Sequence, residues 1–296
     1  MMNIPLMGTI TALVTPMHKD GSIDSESLKK LIDYQIAGQI SAIVPCGSTG
    51  ESATMTFAEK CEVIRITVEH AAGRVPVIAG TGSNDTAAAI ALTKEAQSIG
   101  ADAVLLVSPF YNKPTQRGLI AHYSAIAESC DIPQILYNVP GRTASNVTAE
   151  TQLQLAEQYS HIIATKEASA DLEQMMEIIR NRPAHFTVLA GDDTLALPII
   201  AAGGHGVISV LSNYAPAQFS ACINAALAGD FTLARNLHYP LFDLMKLNFI
   251  ETNPIPVKGI LSMMGICEEN YRLPMQPLLP EHKEILHKAL IKAGLL

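Results

Sequence analysis

The chain has 296 residues, 48% hydrophobic and 16% charged, so it carries ample material for a core and does not read as disordered. A formal charge of −8 at pH 7 argues against nucleic acid or an anionic membrane as the main partner, since both need a basic face. A local basic site for a small anion remains compatible with that balance.

Short apolar or β-branched runs recur along the first two thirds of the chain, at residues 9–14, 42–45, 75–79, 103–107, 134–139, 162–166, 187–190 and 206–210. Each is long enough for a strand and too short for a helix. Helical patterns lie between them. Asp24 is placed to cap a helix with Leu28, Leu31, Ile32, Gln35 and Ile36 on one stripe. Thr56 and Glu59 form a T-x-x-E capping box ahead of Val63 and Ile64. Leu172, Met175, Met176 and Ile179 have the spacing of a core face. Eight strand-helix units predict an α/β fold, a (β/α)8 TIM barrel. An open doubly wound sheet is disfavoured because no G-x-G-x-x-G turn joins the first strand to its helix. The strand pattern stops after Val210, and residues 216–296 read as a C-terminal helical appendix. The expected division is therefore 1–215 for the barrel with its site and 216–296 for the helical region.

The apolar runs are far too short to span a bilayer. The N-terminus lacks a charged segment followed by a long apolar stretch, so no signal peptide is expected. The five cysteines include no CxxC pair, which argues against a disulfide framework or structural zinc and for a reducing, cytoplasmic compartment. Cys46 reads as a buried thiol without a role.

Barrel chemistry lies at the C-terminal ends of the strands. Lys166 interrupts the apolar run Ile162-Ile163-Ala164-Thr165, and alternation puts it on one strand face with Ile162 and Ala164. Desolvation favours the neutral, nucleophilic amine, so a Schiff-base lysine is one reading. A structural lysine paired with Glu167 or a neighbouring carboxylate is the other. Tyr137, on the preceding strand, would stand beside Lys166 and could shuttle protons; a core tyrosine with a satisfied hydroxyl is the alternative. The Gly47-Ser48-Thr49-Gly50 turn offers hydroxyls and backbone N–H groups that suit a carboxylate, although such turns are common. Arg142 follows a Pro-Gly turn and is either a carboxylate clamp or a solvated surface residue. Asp192-Asp193 reads as a helix cap before Leu195 rather than a metal pair. Gly203-Gly204-His205-Gly206 precedes its strand and reads as a tight turn on the opposite face.

Taken together, the motifs GSTGES (47–52), VIAGTGSN (77–84), SPFYNKPT (108–115), YNVPGRT (137–143), KEAS (166–169), GDD (191–193), GGHGVISV (203–210) and NPIPVK (253–258) resemble the dihydrodipicolinate synthases, among the N-acetylneuraminate lyase-like class I aldolases. The resemblance covers nearly the whole chain. It implies that Lys166 forms an imine with pyruvate, and that Tyr137, Ser48 and Tyr111 form a proton relay. Ser48 replaces the commoner threonine, and Tyr111 reaches into a neighbouring subunit's site. Thr49 would bind the pyruvate carboxylate, the main chain of Ile208 would line the pocket, and Arg142 would receive the second substrate. The arginine in this context favours L-aspartate 4-semialdehyde, in lysine and diaminopimelate synthesis, over the substrates of sialate lyases. The reaction needs no metal and no organic cofactor, and the resemblance implies a homotetramer built as a dimer of dimers. Alternatives are a sialate or 2-keto-3-deoxy-acid aldolase, a hydratase-aldolase, or a pyruvate-binding protein without turnover. By position, the site where L-lysine inhibits many such synthases would comprise Ser52, Ala53, Phe57, Lys60, Asn84, Ala88 and Phe110. Here Phe57 and Lys60 replace histidines, Ala88 a glutamate and Phe110 a tyrosine, so weak or absent inhibition is expected.

Overall fold

The structure, a computed structural model, describes residues 6–296. The first five residues, on which the readings of the N-terminus and of the 1–215 boundary partly rest, lie outside the described residues. The elements run β1 (Gly8–Ala12), α1 (Ser25–Ala37), β2 (Ala42–Val44), α2 (Phe57–Ala71), β3 (Ile78–Gly80), α3 (Thr86–Ile99), β4 (Ala103–Val107) and α4 (Gln116–Ala127). They continue as β5 (Gln134–Asn138), α5 (Pro140–Thr143), α6 (Ala149–Gln158), β6 (Ile162–Glu167), α7 (Leu172–Asn181), β7 (Thr187–Ala190), α8 (Ala196–Ala201) and β8 (Gly206–Ser209). Four helices follow, α9 (Pro216–Leu227), α10 (Phe231–Leu247), α11 (Ile255–Met263) and α12 (Pro280–Lys292).

Among the described residues the eight strands form one parallel sheet in the order β2-β1-β8-β7-β6-β5-β4-β3. A parallel bridge between Ile43 and Val77 joins its two ends, so the chain is a (β/α)8 barrel. Both strand faces are covered. Ile10, Val44, Ile78, Leu105, Ile135 and Ile208 fill the interior, while Ile43, Ala79, Val104, Leu106, Leu136 and Val207 meet the helices. That double burial is why the strands read as continuous apolar runs.

Local signals mostly act as expected. The Asp24 carboxylate accepts from Ser27 N at the start of α1, and Thr56 and Glu59 form the reciprocal capping box of α2. Leu28, Leu31, Ile32 and Gln35 are buried, and Gln35 accepts from Thr11 Oγ1 (2.7 Å) while donating to Asn213 O (2.9 Å). Three details differ. On α7 the buried residues are Met175 and Ile178, while Leu172 and Met176 are exposed, because the helix meets the barrel along a narrower stripe than the 172-175-176-179 spacing suggested. The third strand begins later than residue 75, since Pro76 has no N–H to donate to a ladder. In β6 the register shifts between Gln134 and Ile135, which face Ile162 and Ala164. This irregularity sends Ile162 to the outer layer while Ala164 stays inside, so the two do not share a face.

We propose that residues 1–215 carry the barrel strands and residues 216–296 form the helical region. The first helix of that region, α9, docks against β1 and β8 in the barrel's own helix layer, beside α8 and α1. Helix α10 packs on α9 and α12, and α11 packs on the short 3-10 turn Leu211–Asn213 that follows β8. Among the described residues no helix is long and apolar enough to cross a membrane.

Candidate active site

A cleft opens at the C-terminal ends of the strands, lined by residues on or just after β1, β2, β4, β5, β6, β7 and β8. Lys166 lies at its floor, 5% exposed. Its Cα pairs with that of Tyr137 on β5, and its Nζ lies 4.3 Å from the centroid of the Tyr137 ring. The neighbouring Glu167 points the other way. Its carboxylate is fully buried and accepts from Asn138 Nδ2 (2.6 Å), Gln152 Nε2 (3.1 Å), Ser169 Oγ (2.6 Å) and Gln174 Nε2 (3.2 Å). Burial pushes the Glu167 carboxyl up, and these donors oppose the shift. Glu167 is thus occupied in the outer layer, and the reading of Lys166 as its ion-pair partner falls.

The Gly47–Gly50 turn forms one wall. Ser48 is exposed to the cleft, and Thr49 is buried. Thr49 Oγ1 accepts from Asn253 Nδ2 at 2.9 Å, which leaves the threonine O–H free to donate into the cleft. Arg142, on the single turn α5, also lines the cleft, and its Nη2 contacts Asn253 O at 3.5 Å. A second, smaller recess, also lined by Ser48 and Tyr137, lies alongside towards Gly80, Gly82 and Val107.

Lys166, Tyr137, Ser48, Thr49 and Arg142 therefore meet in one cleft. Ile208 and Tyr111 are not among its lining residues. The Ile208 side chain is buried in the barrel interior. Tyr111 is 89% exposed on the loop between β4 and α4, with a left-handed φ of 73°, unusual for a bulky side chain. The loop is held by Asn84 Nδ2 donating to Phe110 O (3.1 Å) and Asn112 Nδ2 donating to Asn84 O (2.9 Å).

Two cleft residues escaped the sequence reading. Asn253 precedes α11, more than 200 positions from the turn it contacts; it opens the NPIPVK motif, but that motif was given no role at the site. Asp192 was read with Asp193 as a cap for the turn before Leu195. Neither side chain caps that turn. Asp193 Oδ2 instead accepts from Leu211 N (2.8 Å) and Val210 N (3.3 Å) beyond β8, and burial pushes its carboxyl up to about 6. Asp192 faces the cleft. Burial pushes its carboxyl up, while the charges of Lys166 and Arg142 pull it down. Gly191 makes that placement possible, because a Cβ there would lie 2.4 Å from Ala168 Cβ.

Among the described residues no group of three or more His, Cys, Asp or Glu is arranged to hold a metal ion. Cys46 is buried with its thiol pushed up to about 12 by desolvation, in keeping with a packing role.

The model of the dihydrodipicolinate synthetase family matches residues 5–293. A 4-hydroxy-tetrahydrodipicolinate synthase of Maridesulfovibrio salexigens is 51% identical over 98% of this chain and 99% of its own. The solved dihydrodipicolinate synthase of Aquifex aeolicus is 46% identical and superposes with a TM-score of 0.96, over 98% of this chain and 99% of that one. A dihydrodipicolinate synthase of Acinetobacter baumannii, solved in complex with pyruvate, is 43% identical with a TM-score of 0.96, over 98% of this chain and 100% of that one.

Proposed function

The chain belongs to the dihydrodipicolinate synthetase family, and we propose that it condenses pyruvate with L-aspartate 4-semialdehyde through an imine at Lys166. The observation that carries this reading is the pairing of a buried lysine amine with the Tyr137 ring on the adjacent strand, beside a hydroxyl-bearing turn and an arginine. The A. baumannii relative, solved with pyruvate, supports pyruvate as the first substrate.

In this mechanism the Thr49 O–H and the turn's N–H groups hold the pyruvate carboxylate. The Lys166 amine attacks the keto carbon, and the carbinolamine loses water to give the imine. Tyr137 moves the protons of these steps, relayed by Ser48 and by Tyr111 of a second copy. The protonated imine nitrogen then accepts electrons as a methyl proton leaves, and the resulting enamine carbon attacks the aldehyde. Arg142 grips the carboxylate of the semialdehyde. Its amine finally displaces Lys166 by transimination, closing the ring and releasing the free lysine. These steps require no metal or organic cofactor. The site acts in a cytoplasmic lysine and diaminopimelate pathway, with neither nucleic acid nor membrane as partner. Reductive trapping of pyruvate by borohydride, followed by identification of the modified residue, tests the reading.

Arg142→Ala is expected to raise the KM for the semialdehyde about 10- to 100-fold, as when one bidentate charge partner is lost from a partly desolvated site. Pyruvate trapping should persist. Loss of trapping with unchanged semialdehyde affinity would overturn the assignment.

Tyr111 cannot serve its own cleft from a position 89% exposed, and the recess beside Ser48 and Tyr137 offers an entry for a second copy's phenol. At least a dimer follows, and the family resemblance extends it to a homotetramer built as a dimer of dimers. Light scattering at assay concentration checks it, and a fully active monomer would contradict it.

Inhibition by L-lysine should be weak or absent. A desolvated ammonium needs a carboxylate or several acceptors, and Ala88 supplies neither while Lys60 adds a like charge. Losing one partner of a buried charge pair costs about 2–5 kcal/mol, roughly 30-fold to several thousandfold in affinity. Strong cooperative inhibition at micromolar lysine in a steady-state assay would refute this.

A further inference from the structure

Glu51 closes the Ser48-Thr49 turn with a left-handed φ of 57°. A residue with a Cβ keeps that conformation when its surroundings over-determine it. Its side chain is 2% exposed, and Oε1 accepts from Lys258 Nζ at 2.6 Å; the Lys258 side chain is 0% exposed. Lys258, on α11, also donates to Asn270 O at 2.6 Å and lies 5.0 Å from the centroid of the Tyr271 ring. The second oxygen of Glu51 faces Arg272 N at 3.5 Å. Among the described residues, every hydrogen-bond partner of this carboxylate comes from the C-terminal helical region.

That region also reaches the middle of the turn. Asn253 Nδ2 donates to Thr49 Oγ1 at 2.9 Å, five residues before Lys258. The side chains at both ends of the Thr49–Glu51 stretch are therefore held by one segment, residues 253–258. Thr15 Oγ1, just after β1, donates to Gly50 O at 2.8 Å. A fully buried ion pair is weak evidence for stability, because well-packed apolar residues often serve a fold as well. Directional hydrogen bonds to a charged group fix one geometry where apolar contact tolerates several. Burial pushes the Lys258 ammonium down and the Glu51 carboxylate opposes the shift. Neither side chain lines the cleft.

We propose that Glu51 and Lys258 are positioning residues that set the geometry of the Thr49 turn, so that this pair controls pyruvate affinity without itself touching substrate. This rests on the reading of that turn as the pyruvate-carboxylate site.

The test uses the full chain carrying Glu51→Gln, Lys258→Met, or both, with Thr49→Val alongside. The readouts are the KM for each substrate, kcat and the melting temperature. Glu51→Gln should raise the pyruvate KM about tenfold or more, with kcat at saturating pyruvate within about threefold and the semialdehyde KM within about twofold, since displacing a binding turn weakens the ground-state complex first. The double variant removes both charges, so its melting temperature should recover while the pyruvate KM stays raised. A pyruvate KM that recovers together with the melting temperature would reduce the pair to a structural role and overturn the proposal. So would a fall in kcat at unchanged pyruvate KM. If Lys258→Met alone does not fold, Glu51→Gln and the double variant decide. An unchanged pyruvate KM in Thr49→Val sinks the carboxylate reading of the turn. A raised KM in Thr49→Val beside an unchanged KM in Glu51→Gln sinks only the positioning role.

Discussion

Lys166→Ala should abolish both turnover and the borohydride-dependent capture of pyruvate. Without the amine there is no imine, no protonated nitrogen to accept electrons from the methyl carbon, and no enamine. A positioned intramolecular nucleophile corresponds to an effective molarity of roughly 10⁵–10⁸ M, so a rate loss on the order of 10⁵-fold or more is expected. The variant should stay folded, because the barrel interior around β6 is built from apolar side chains, and Glu167 keeps its own amide and hydroxyl partners. Mass spectrometry of wild type and variant after treatment with pyruvate and borohydride reads the result. Capture at another lysine by a still active Lys166→Ala variant would refute the mechanism.

Tyr137→Phe isolates the phenol hydroxyl. Phenylalanine retains the ring whose centroid lies 4.3 Å from Lys166 Nζ, so packing and the ring's attraction for the amine persist. What disappears is a positioned acid and base, an effect of about 10²–10⁴-fold on rate. The loss should appear in kcat, with the pyruvate KM changed far less, because the carboxylate contacts lie on the Thr49 turn. Wild-type kcat in this variant would remove Tyr137 from the relay. A fall in both parameters together with a lowered melting temperature would point to packing instead.

The two variants draw on different parts of the sequence-to-structure relation. Lys166 stood out because an apolar strand carries a lysine only at a cost that burial makes explicit. Its neighbour followed from adjacency of consecutive parallel strands, and Tyr137 and Lys166 are register partners. Tyr111 had no such local signature. In a single copy it is an exposed tyrosine on a left-handed backbone, and its proposed use depends on a surface that another copy supplies.

The sequence by itself determined the number of strand-helix units, the caps of α1 and α2 and the residues delivered at most strand ends, because these depend on local periodicity, hydrogen-bonding side chains and turn residues. Tertiary structure alone decided the rest. Ile162 left the face of Lys166 because a register shift against β5 cannot be read from one strand. Asp193 caps a segment beyond β8 rather than its own turn, because the closed barrel brings that segment closer to its carboxylate. Thr49 depends on Asn253, and Glu51 on Lys258, across 204 and 207 positions. Polar partners that far apart share no period or motif; burial makes them find one another, and only closure of the barrel beneath the C-terminal helices defines which atoms are buried together.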